Sequence, residues 1–185
     1  MTLSMAMIGC AGRTAATGPG ARWIARHGGL CTESAARADA ALRRLTGASH
    51  GNGLQIATLA GQSPVAYAWP DGSIFVSSGL LALLDDEELT AAIAHELGHL
   101  MSDGHFRSAA SLGGRPAARP AIAGRDIESR ADAAGVELLR RRGLAPQAMQ
   151  RMLVKVRSSS RHLSREQAGA IDRRIEMLTS TAPNP

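Results

Sequence analysis

The stretch AIAHELGHLMSD, residues 92–103, limits what this chain can become more than any other. It sets His95 and His99 four residues apart, with Glu96 directly after the first. An α-helix turns about 100° per residue, so His99 lies about 40° round from His95, one turn along the same face. Both imidazoles can therefore reach one metal ion. Glu96 falls about 60° from His99, at the edge of that face. There it can touch a water on the metal but is badly placed to ligate. The spacing suits metal-assisted hydrolysis, in which zinc polarises the water and a substrate carbonyl while the glutamate takes the water's proton. Leu89, Ala92, Ile93 and Leu100 make the surrounding helix mostly apolar and so mostly buried. Burying two imidazoles and a carboxylate without partners would be costly. Gly98 leaves room beside the site, at some cost in helix stability.

The whole chain has 185 residues, enough for one domain with a real core. Aromatic residues are scarce and alanine is abundant, so the core is aliphatic and helix is favoured. The net charge is +5, and Lys155 is the only lysine. The arginines are spread along the chain with acidic residues between them, which argues against a nucleic-acid surface. Only Arg140, Arg141 and Arg142 form a run, at the end of an expected helix where cations suit the dipole. No apolar run is long enough to span a membrane. The opening MTLSMAMIGCAG is uncharged and largely apolar, and Met7-Ile8-Gly9-Cys10 resembles a bacterial lipoprotein cleavage site. Two readings stand side by side: a lipidated Cys10 that attaches the chain to a membrane, or an ordinary terminus. Cys10 and Cys31 could also pair in an oxidising compartment.

Residues 1–31 read as a signal-like segment followed by a Gly-rich linker, 32–179 as the domain, and 180–185 as a disordered tail. A helix is expected from Glu33, capped by Thr32 and ended near Gly47. Segments 54–60, 64–69 and 73–78 read as strands of a small antiparallel sheet, with Pro70-Asp71-Gly72 as a tight turn. A short helix starts at Gly79. Asp85 and Asp86 cap the motif helix, 87–102. Residues 104–124 read as a Pro- and Gly-rich loop. Asp126 caps a helix ending at Gly143, Pro146 starts another to about Val156, and Ser158–Arg161 is a polar loop. Ser164 and Gln167 make a capping box for a last helix.

The chemistry needs a third ligand, and two residues compete. His105 sits where a three-histidine pattern would place it, but Ser102 stands where that pattern needs its turn glycine. Glu128, in ESRAD, lies four residues before Asp132 on one helical face. One carboxylate can ligate while the other holds a histidine N–H from behind. Ala131, Ala134 and Gly135 are small, so this helix could pack close to the first. The spacings allow either ligand.

Taken together, PDGSIFVSSGLL, DEELTAAIAHELGHL and ESRADAAGVELLRRRGLAPQAM resemble the zinc peptidase family of HtpX and the CAAX prenyl proteases, peptidase family M48. The resemblance runs from about Tyr67 to Met149. It implies an α+β, mostly helical, zincin-like (gluzincin) domain with a small antiparallel sheet. It also implies one zinc ion per chain on His95, His99 and Glu128, with Glu96 as general base and acid. Asp132 would be the carboxylate behind the ligands. The family often carries a His-Pro near its end, followed by an arginine that starts the last helix. The nearest counterpart here is His162, an auxiliary candidate without the proline. Arg173 and Arg174 lie too far along the chain to match.

These observations predict a zinc-dependent metalloendopeptidase, and the resemblance implies that it acts on peptides or on exposed, misfolded protein segments. An extended substrate would add to the sheet edge near Ile74–Ser77. The rival is a non-catalytic zinc-containing chaperone or scaffold, for which the intact Glu96 has no use. Location would be the cell envelope if the N-terminus is a signal, and the cytoplasm otherwise.

Overall fold

The computed structural model describes residues 19–47, 53–102, 124–159 and 163–180. In chain order these form α1 (Pro19–Arg26), β1 (Leu30–Cys31), α2 (Ala35–Thr46), β2 (Gln55–Leu59), β3 (Ala66–Ala68), β4 (Ser73–Ser77), α3 (Ser78–Leu83), α4 (Asp86–Ser102), α5 (Gly124–Arg141), α6 (Gln147–Ser159) and α7 (Arg165–Ser180). Helix dominates, as the alanine-rich composition predicts, and no described helix is long and apolar enough to cross a membrane.

The motif helix, α4, is the centre of the molecule. Leu89, Ala91, Ala92, Ile93, Ala94 and Leu97 are all buried, so apolar side chains run round its whole circumference. Its start is fixed by a reciprocal cap. The Glu88 N–H donates to Asp85 Oδ1 and the Asp85 N–H donates to Glu88 Oε2, both at 2.9 Å. Glu88 is itself buried, and the lone lysine, Lys155 of α6, donates to its Oε2 at 2.6 Å. Arg37 and Arg44 of α2 hold Asp86 from the other side. The N-terminal end of α4 is thereby pinned between α2 and α6.

Helix α5 lies closest to α4, and small residues set the distance. A Cβ on Gly98 would fall on the backbone carbonyl of Ala131. A Cβ on Gly135 would stand 3.0 Å from the Ala94 carbonyl oxygen. The glycine expected to leave room beside the site thus admits the backbone of the second site helix. Gly98→Ala should gain about 1 kcal/mol of helix propensity. It should lose about 3 kcal/mol to overpacking against backbone that cannot yield. The net effect, a destabilisation of about 2 kcal/mol, is measurable by urea unfolding; an equal or more stable variant would contradict this packing.

The sheet has the order β1-β2-β4-β3. Its outer pairs are antiparallel, but β2 and β4 are parallel, from Gln55↔Ser73 to Leu59↔Ser77. The sheet is therefore mixed, not purely antiparallel. The Pro70-Asp71-Gly72 turn forms as expected, with φ 90° at Gly72, the region glycine tolerates. It makes β3 and β4 a hairpin, and β4 then inserts beside β2, leaving β3 outside. That placement also corrects the expected substrate edge. Ile74–Ser77 lies in the interior of the sheet, and the edge on that side is β3. Ile74 and Val76 point into the core with α2 and α4, while Phe75 points the other way.

On that second face lies α1, within a segment expected to be a linker. Trp23 packs edge-on against Tyr67, Trp69 and Phe75, with ring centroids 5.0–5.4 Å apart. The few aromatics are concentrated there, and aromatic pairing organises a stretch that glycine content made look irregular. Cys31 of β1 is buried.

Smaller corrections concern helix ends. Ser34, without a side-chain cap bond, precedes α2 in place of Thr32. Helix α5 begins at Gly124, two residues before Asp126. Helix α6 continues to Ser159, through part of the expected polar loop. The Ser164–Gln167 box is present, at 2.9 and 3.2 Å. Cys10, His105, His162, most of the 104–124 loop and the 181–185 tail lie outside the described residues.

Candidate metal centre

His95, Glu96 and His99 come from α4, one turn of one helix, and all three are buried. Helix α5 crosses at the Gly98–Ala131 contact and brings Glu128 and Asp132 against them. His95 Nε2 stands 3.1 Å from His99 Nε2 and 3.3 Å from Glu128 Oε2, while His99 Nε2 is 3.5 Å from Glu128 Oε1. Donor atoms about 2.0–2.1 Å from a tetrahedral zinc would stand about 3.3 Å from one another. The nearest contacts lie close to that value, with a different Glu128 oxygen facing each histidine. Among the described residues, His95, His99 and Glu128 form the group able to hold a metal ion, with donor atoms all within 4.8 Å. Two borderline imidazoles and one harder carboxylate are a donor set that zinc takes, and three protein ligands leave a position for water or substrate.

Asp132 stands behind His95. The His95 Nδ1–H donates to its Oδ1 at 2.8 Å, which turns Nε2 toward His99 and Glu128. The sixth member was not expected. Arg174, from α7, donates through Nε to Asp132 Oδ2 at 2.6 Å and through Nη2 to Oδ1 at 2.7 Å. Its Nη1 lies 3.1 Å from Glu128 Oε2. Counting along the chain placed this arginine too far from His162 to matter. The α6–α7 hairpin brings it back in space. One signal could have found it. Ile171, Arg174, Ile175 and Leu178 follow the i, i+3, i+4, i+7 pattern of a buried stripe. A guanidinium on such a stripe needs a buried acid.

The charges are mutually dependent. Burial disfavours the His95 imidazolium, but hydrogen bonds to Asp132 and Glu128, helped by the nearby Glu96 charge, outweigh it and raise the pKa to about 9. Burial would likewise raise Glu128, yet its contacts with His95 and the Arg174 charge bring it down to about 2. Burial also opposes the Asp132 carboxylate, and the bonds from Arg174 and His95 lower its pKa all the same.

A pH dependence follows for the chain stripped of metal. His95, raised from 6.5, contributes stability fully below pH 6.5, and loses it as pH rises through about 9. Glu128, lowered from 4.5, contributes fully above pH 4.5, and loses it as pH falls through about 2. The cluster should therefore stabilise the stripped chain most between pH 4.5 and 6.5. Urea midpoints measured at pH 5.5 and 9.5 should differ, and Asp132→Asn should shrink the difference. Equal midpoints in the unsubstituted chain would contradict the coupling.

Residues 34–124 match the family model described as Peptidase family M48. That span holds α2, the β2–β4 strands and α4 with His95, Glu96 and His99. It ends where α5 begins, so Glu128, Asp132 and Arg174 are joined to it by geometry alone. No curated protein matches the chain. The matched span agrees with the resemblance carried by the sequence motifs, and over that span the chain is similar to peptidase family M48, a family of metallopeptidases.

Proposed function

We propose that the chain is a zinc-dependent endopeptidase acting on extended segments of peptides or unfolded proteins. The observation that carries this reading is the convergence of two buried imidazoles and a carboxylate, from two helices, at spacings suited to one ion. His95, His99 and Glu128 would hold the metal. When bound, zinc supplies the Lewis acidity that polarises a water and the scissile carbonyl. Glu96, buried beside His95, takes a proton from the attacking water and returns it to the departing amine. Asp132 keeps the His95 Nδ1–H occupied, so that Nε2 faces the metal. The substrate chain lies along β3, the sheet edge that packs against α4.

The test is hydrolysis of a labelled, denatured protein, with metal content measured by mass spectrometry. The expected result is about one zinc per chain, cleavage within the substrate chain, loss of activity with a chelator and recovery with zinc. Zinc uptake without cleavage would replace this reading with that of a non-catalytic zinc protein.

A further inference from the structure

Helix α7 has no fully buried residue. Ile171, Ile175 and Leu178 are only partly buried against the core, and the Arg157–Asp172 pair is exposed. The Arg174 side chain is largely enclosed, with 13% of its surface exposed. It ends on two carboxylates of α5. One is Asp132, gripped in a bidentate fork, and the other is Glu128, approached at a single oxygen. The planar guanidinium suits this geometry, since its donors leave in fixed directions. By taking Oε2 of Glu128 it leaves Oε1 facing His99. By filling the second oxygen of Asp132 it fixes the plane in which Oδ1 receives the His95 N–H.

We infer that Arg174 is a positioning residue that orients Glu128 and Asp132 for the metal, and that seating of α7 and metal binding are thereby linked. This rests on the zinc reading above. Arg174 touches neither substrate nor metal; it acts through the two carboxylates. Linkage is reciprocal: whatever α7 contributes to metal affinity, metal returns to the seating of α7. The C-terminal helix, lightly packed elsewhere, is held by the charge of the site.

The experiment measures zinc affinity by competition with a chromophoric chelator, in the full chain. Arg174→Ala should bind zinc about 10–100-fold more weakly, the range typical of residues that support ligands from behind. Arg174→Lys should fall between, because an ammonium keeps the charge without the fork. Added guanidinium chloride at low millimolar concentration should restore part of the affinity in Arg174→Ala and do nothing for the unsubstituted chain. Arg157→Ala, which loosens α7 away from the site, should stay within about twofold. Hydrogen exchange should slow in α7 when zinc is added to the unsubstituted chain, and not in Arg174→Ala. Unchanged affinity in Arg174→Ala overturns the inference. So does a loss that neither lysine nor guanidinium relieves, since a merely structural role would behave that way. An unsubstituted chain that takes up no zinc would instead overturn the zinc reading itself, and the two failures are told apart in the first titration.

Discussion

Glu96→Gln should keep its zinc and lose most of its turnover. Glutamine has the same length and nearly the same shape, so the packing of α4 against α5 has no reason to change. His95, His99 and Glu128 retain their spacings. What disappears is the basic oxygen that accepts a proton from water, and with it the acid that later protonates the amine. One such group is worth about 10²–10⁴-fold in rate. Glu96 is buried next to His95 in the same helix and is not among the three residues whose donor atoms converge. The measurement is kcat and zinc content together. Wild-type-like kcat in a zinc-loaded variant would remove Glu96 from the mechanism.

The second large effect concerns the third ligand. Glu128→Ala should come out empty after dialysis against a weak chelator, and His105→Ala should stay full. Glu128 stands on an 18-residue helix, packed against α4 and braced by Arg174, so little freedom is left to lose when metal binds. Its negative charge offsets part of the ion's charge, which a third imidazole cannot do. Removing a direct ligand should cost more than the about 10–100-fold typical of supporting residues. An empty His105→Ala beside a full Glu128→Ala would exchange the ligands and put the site in the three-histidine class. Zinc per chain, measured on both variants in parallel, decides it.

The parts of this protein legible in its sequence are those dictated by neighbouring residues. The α4 helix, the Pro70-Asp71-Gly72 turn and the Ser164–Gln167 box each rest on contacts a few positions apart, and each forms. The pairing of Glu128 with Asp132 was legible for the same reason, being one helical turn. What could not be read was set by distant parts meeting. A run of short strands does not say which one slips between the others, so the parallel β2–β4 pair was missed and β4 was taken for an edge. Helix α1 was hidden because glycine counts describe the freedom of the chain and not the aromatic surface waiting on the sheet. Arg174 was discounted by counting along the chain, when a hairpin of two helices cancels that distance.

The short edge of the sheet has a consequence for selectivity. Trp69 donates its N–H to Ser73, and Val65 accepts from the Ser77 N–H. In an antiparallel ladder with Tyr67 opposite Phe75, those odd-numbered positions face β4, and the backbone groups of Ala66 and Ala68 face outward. On the peptidase reading, a visiting chain would be gripped there mainly by its own amides, against two residues that carry only methyl groups. Such a handle is indifferent to what the visitor spells. It asks only that a few residues be extended and unpaired, which a folded protein withholds and a damaged one offers. The discrimination would then lie in the conformational state of the substrate, and well-folded neighbours would be spared without the enzyme having to recognise them.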